Sequence, residues 1–111
     1  MILQMSSFGE VLISRPAGRE AFLGASAYIF NTFERENELI LDFDNVKVLA
    51  PSWADEFIFA VRKNITSNIS YIHTDNPSVS ASLEVVAAEN YQCLLPLYKG
   101  LLKNYSKNEN E

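Results

Sequence analysis

A chain of 111 residues has room for one compact domain around a single hydrophobic core, since domains most often run to about 100–150 residues, and this excludes a two-domain enzyme. With 48% apolar and 21% charged residues, the composition is that of a folded globular protein and excludes disorder over most of the length. Nine Lys+Arg against 14 Asp+Glu leave a formal net charge of -5, and the scattered Lys47, Arg62, Lys63, Lys99, Lys103 and Lys107 form no basic patch, so no nucleic-acid partner is expected.

The single cysteine, Cys93, cannot form an internal disulfide, and no CxxC or His-rich spacing is present to hold zinc or iron. A reducing, cytoplasmic setting follows as the expectation. The start "MILQMSSFGE" lacks a basic n-region and a long apolar h-region, and no run of about 18 apolar residues occurs, so neither export nor a membrane span is expected.

In chain order, "EVLIS" (Glu10 to Ser14) reads as a first strand, and Pro16 and Gly18 mark a turn. "REAFLGASAYIFNTFEREN" then places Phe22, Ala25, Ser26, Ile29, Phe30 and Phe33 at three- and four-residue spacing, the apolar stripe of a helix. "ELILDF" (Glu38 to Phe43) is apolar on both faces of a pleat, which predicts a central strand covered on each side. Asn45 turns the chain, and "VKVL" continues as a short half-buried segment before Pro51.

A second helix is predicted from Trp53 to Lys63, with Asp55 and Glu56 in its first turn, Arg62 and Lys63 in its last, and Trp53, Phe57, Ala60 and Val61 facing inward. Ser52 is predicted as its cap, with Asp55 approximating a capping box. "NISYIHT" reads as the next strand; Asn76 caps and Pro77 opens a third helix over Ser78 to Asn90. "YQCLLPLYKGLLKN" suggests a short final helix or helical hairpin, interrupted by Pro96 and Gly100, before the polar tail "SKNENE". The domain is expected to occupy residues 1–105 and the tail residues 106–111. Strands alternating with helices predict a small α/β layer fold with a mainly parallel sheet.

Two readings compete for "LDFDNVKVLAPSWADEF", Leu41 to Phe57. Asp42 and Asp44 close a strand where α/β sheets place their ligand sites. "LILDFDNV" resembles the first motif of the haloacid dehalogenase superfamily, which implies a phosphatase with Asp42 as nucleophile and Asp44 as general acid beside magnesium. Against it, a strand and a helix precede the motif, the later segments offer no paired carboxylates, and Asn45 stands where that motif has glycine. Asp side chains also bond the turn after a strand readily, which makes a turn-bonding role the simpler reading, with a polar site at Asp42 and Asp44 as the other. His73, the one histidine, reads as a partly buried structural residue, and Cys93 in "CLLP" as an inert buried thiol.

The stretches "SRPAGREAFLGASAYIF" and "LILDFDNVKVLAPSWADEFIFAV" resemble the STAS-like family of small bacterial domains of unknown function, over about residues 10–90. That family is distantly similar to STAS domains, including anti-sigma-factor antagonists, in which a serine at the strand-loop-helix junction is phosphorylated by a partner kinase. Ser52 is the matching position, although Ala50, Pro51 and Trp53 replace the residues that flank the antagonist serine. The resemblance implies a STAS-like layered α/β fold and a non-catalytic regulatory domain with no cofactor and no metal. It would contact a protein partner, such as a kinase-like ATPase, through Pro51, Trp53, Asp55 and Glu56, with Ser52 as the switch. Homodimerisation through the apolar "CLLPLYKGLL" is a further expectation.

Overall fold

The computed structural model describes the backbone of residues 1–90 and the side chains of residues 1–86. The expected C-terminal helix or hairpin and tail, the reading of Cys93 as a buried thiol and the expected dimer contact at "CLLPLYKGLL" lie outside the described residues. The order is β1 (Ile2–Gln4), a 3-10 turn (Met5–Phe8), β2 (Val11–Leu12), α1 (Arg15–Tyr28), β3 (Leu39–Asp42), β4 (Val48–Leu49), α2 (Pro51–Asn64), β5 (Ile69–Ile72) and α3 (Pro77–Asn90).

Three strands form one parallel sheet in the order β1-β3-β5, with Leu3 opposite Leu41 and Leu41 opposite Tyr71. β3 is therefore the central strand that its two-sided apolar pattern predicts, and Leu39 and Leu41 are fully buried. β2 and β4 pair separately as a two-residue parallel ribbon, Val11 with Val48 and Leu12 with Leu49. The small α/β fold with parallel pairing matches the expectation from the sequence.

Three expected boundaries shift. β1 precedes the strand expected first; only Leu3 of its three residues is buried, so no alternating pattern announces it. α1 begins before Pro16 and Gly18: Ser14 caps it, its side chain accepting from the Ala17 N–H at 3.3 Å, and Pro16 sits in the first turn, where a missing N–H costs nothing. α1 ends at Tyr28, and the apolar stripe runs on into the following turns, where buried Phe30 meets Phe33 edge-on at 6.1 Å.

The core is densest where α1 crosses α2. Trp53 and Phe57, one turn apart on α2, stack at 5.0 Å and 15°, and Phe8 and Phe22 approach Phe57 at 5.3 and 6.4 Å. Gly18 makes this crossing close: a Cβ there would lie 2.7 Å from the Trp53 carbonyl oxygen. α2 packs against both α1 and α3, which explains why Ala54 and Ile58 are buried beside the predicted Trp53, Phe57 and Val61. α3 presents Val79, Leu83 and Val86 at helical spacing to the core, and buried Ser82 donates to the Leu49 carbonyl.

Candidate functional site

Parallel strands deliver their last residues to one edge, and here three strands deliver polar groups to the same carboxylate. Asp42 ends β3 and is 5% exposed. Its Oδ2 accepts from the Gln4 Nε2 at 3.0 Å, Gln4 being its register partner on β1. Its Oδ1 accepts from the Asp44 backbone N–H at 2.9 Å and lies 2.7 Å from the Nδ1 of His73, which follows β5. Burial pushes the Asp42 carboxyl up, but the Asp44 N–H, His73 and Gln4 together outweigh it and hold the group below its ordinary value of 3.8.

The His73 imidazole moves the opposite way. Its hydrogen bond to Asp42 and the negative charge behind it raise the ring above its ordinary 6.5, and Asp44 and Asp75 add to this. An ionised Asp42 offers only acceptors, so Nδ1 carries the proton, and 2.7 Å is the length of a charge-assisted bond. More than half of the His73 side chain is in solvent, which corrects its reading as a partly buried residue. Its backbone is also left-handed, with φ 56°. Few residues other than glycine adopt that conformation, histidine being among the more tolerant, and here it turns the chain from β5 towards α3.

Asp42 and Asp44 do not act as a pair in this arrangement. Asp44 is exposed in the turn, contributing its backbone N–H rather than its carboxylate, and Asn45 completes the turn at φ 69°. Both oxygens of Asp42 are held by neighbours, which makes it a structural acceptor rather than a nucleophile facing a cleft. Among the described residues no three His, Cys, Asp or Glu side chains converge as a metal ion would require. Nothing in this geometry carries the phosphatase reading.

The start of α2 is built differently. The helix opens at Pro51, whose preset φ suits the first helical position, so Ala50 becomes the N-cap and no side chain caps the end. This corrects the expectation that Ser52 caps: it stands one residue inside the helix, half-buried. Asp55 and Glu56 consequently fall beyond the first turn. Arg15 reaches across from α1 to both, at 2.9 and 3.1 Å, and Arg19 lies 3.6 Å from Glu56. Pro51 is exposed, whereas Trp53 is only 2% exposed and stacked in the core. The expected role of Trp53 as a surface contact is thereby corrected, because its ring is buried against Phe8 and Phe57.

Sequence reasoning missed the Asp42–His73 pair, since 31 residues separate the two and neither lies in a motif that names the other. Asp42 next to strand-ending hydrophobic residues was the available signal.

Residues 26–79 match the family model described as STAS-like domain of unknown function (DUF4325). That segment is STAS-like. The matched segment runs from within α1 to the first turn of α3 and takes in Asp42, Ser52 and His73, while Gln4 and Arg15 lie before it. No curated protein and no solved structure gave a significant match. The family description names no activity. No described helix is long and apolar enough to cross a membrane.

Proposed function

We propose that this STAS-like domain is a non-catalytic, cytoplasmic interaction module that binds a regulatory protein through the start of α2, and that phosphorylation of Ser52 controls the contact. The observation that carries the reading is the open helix end. Ser52 occupies the second position of a 14-residue helix whose start has no side-chain cap, where first-turn N–H groups have no partner within the helix. A phosphate at Ser52 would meet those N–H groups and the positive end of the helix dipole. Asp55 and Glu56 would oppose it, but Arg15 and Arg19 already lie against them.

The contact surface comprises exposed Pro51, half-buried Ser52, and the Arg15–Asp55–Glu56 cluster on the rim. Val11 and Val48, exposed on the β2–β4 ribbon that leads into α2, and exposed Ile13, which follows β2, add apolar area beside it. Kinase-like ATPases are the partner class implied by the likeness to STAS antagonists.

The test is affinity capture from a lysate of the source cell with wild type, Ser52→Ala and Ser52→Asp, combined with mapping of phosphate on the chain after incubation with ATP. Wild type and Ser52→Ala should recover the same partner, Ser52→Asp should lose it, and phosphate should map to Ser52. Identical partner sets for all three would overturn the reading.

A further inference from the structure

The turn after β3 and the connection from β5 to α3 are joined by more than the Asp42–His73 contact. The Asn76 Nδ2 donates to the carbonyls of Val46 and Lys47, each at 3.2 Å. The same Asn76 caps α3, its Oδ1 accepting from the N–H groups of Ser78 at 2.7 Å and Val79 at 3.4 Å. Ser78 in turn accepts from the Leu49 N–H at 3.0 Å. Residues 73–76 thus form a short clasp, bonded at one end to Asp42 and at the other to the β3–β4 connection and the start of α3. At the Asp42 end the holding group is an imidazole, the side chain whose charge changes near neutral pH. The backbone of the same residue is in the left-handed region, uncommon for a residue other than glycine although histidine is among those that tolerate it.

We propose that Asp42 and His73 form a proton-operated latch: protonated His73 holds the β5–α3 clasp against the end of β3, and loss of that proton loosens residues 73–76 and the cap of α3. The proposal is independent of any role for Ser52.

Among the described residues, the charges acting on the imidazole are those of Asp42 from β3, Asp44 from the following turn and Asp75 from the clasp itself, all acidic. Each favours the protonated ring. Because His73 titrates above its ordinary 6.5 in the folded chain, the latch contributes fully below pH 6.5, and its contribution is lost as pH rises through the folded value. Asp42 sets the lower limit. Its carboxyl is held below 3.8, so its contribution is present above pH 3.8 and disappears as pH falls through the folded value. Between those limits the pair is ionic. Above the upper limit the neutral ring still donates through Nδ1 but no longer carries the charge that strengthens the bond. Each pH unit by which His73 titrates above 6.5 corresponds to about a tenfold loss in the closing equilibrium of the clasp across the transition.

The chain has one histidine, so an NMR titration of its ring protons reports His73 alone. Wild type should titrate above 6.5, and Asp42→Asn should bring the value back towards it. Hydrogen-exchange protection at the Ser78 and Val79 amides, corrected for intrinsic rates, should fall through the same titration by about tenfold per unit of elevation. His73→Gln, which keeps a donor and removes the titrating group, should abolish that step and serves as the test should Asp42→Asn fail to fold. A wild-type value at or below 6.5, protection unchanged through the titration, or a step that persists in His73→Gln would each overturn the latch.

Discussion

The end of β3 and the start of α2 are both polar junctions in a compact core, yet they are completed in opposite ways. At the end of β3 a buried carboxylate is met by Gln4, by the Asp44 N–H and by His73. At the start of α2 the helix opens on an alanine and a proline, and no side chain caps it. Asp-Phe-Asp is the more suggestive stretch of sequence, but its first carboxylate is consumed by the fold. Ala-Pro-Ser is plain, and it leaves the more available chemistry. A polar residue already satisfied by neighbours is explained by stability, whereas an unsatisfied backbone end can accept a new group at little cost.

The comparison can be broken first at what the two junctions share, the core beneath them. Trp53→Ala removes the ring that stacks on Phe57 and should cost about 3–5 kcal/mol in urea unfolding, with any loss of partner binding following from instability rather than from a lost contact. Gly18→Ala should cost about 1–3 kcal/mol, because its methyl would press on the Trp53 backbone and force α1 away from α2. A smaller pair of changes separates the helix starts themselves. Asn76→Ala deletes a working cap and should lower stability by about 1 kcal/mol, whereas Ala50→Asp supplies a cap that α2 lacks and should raise it by a similar amount in thermal melts. Smallest of all, Ser52→Ala should stay within about 0.5 kcal/mol of wild type, since the hydroxyl does not cap α2. A loss near that of Asn76→Ala would restore the capping role and erase the contrast.

Much of the framework was legible before any coordinates. The two-sided apolar run Leu39 to Phe43 marked the central strand because both its faces are covered, and Asn76-Pro77 marked the start of α3 because capping and a preset φ are local properties. β1 was not legible. Its single buried residue, Leu3, gains its place by pairing beside β3, and that pairing is non-local. The α2 start differs by one cap because a serine before a helix and a proline at its first turn are both favourable openings, and the fold uses the second.

The sequence by itself determined the α/β class, the alternation of strand and helix, the central strand and the likeness to STAS-like domains, since all of these rest on periodicity and on short stretches of neighbouring residues. Only the tertiary structure decided which polar groups are spent and which remain open. Parallel strands carry residues as far apart as Gln4, Asp42 and His73 to one edge, and no local pattern encodes that meeting. The same folding buries Trp53, draws Arg15 across to Asp55 and Glu56, and leaves the helix end at Pro51 and Ser52 without a side-chain cap, because burial and pairing are settled by what packs against a residue rather than by what precedes it.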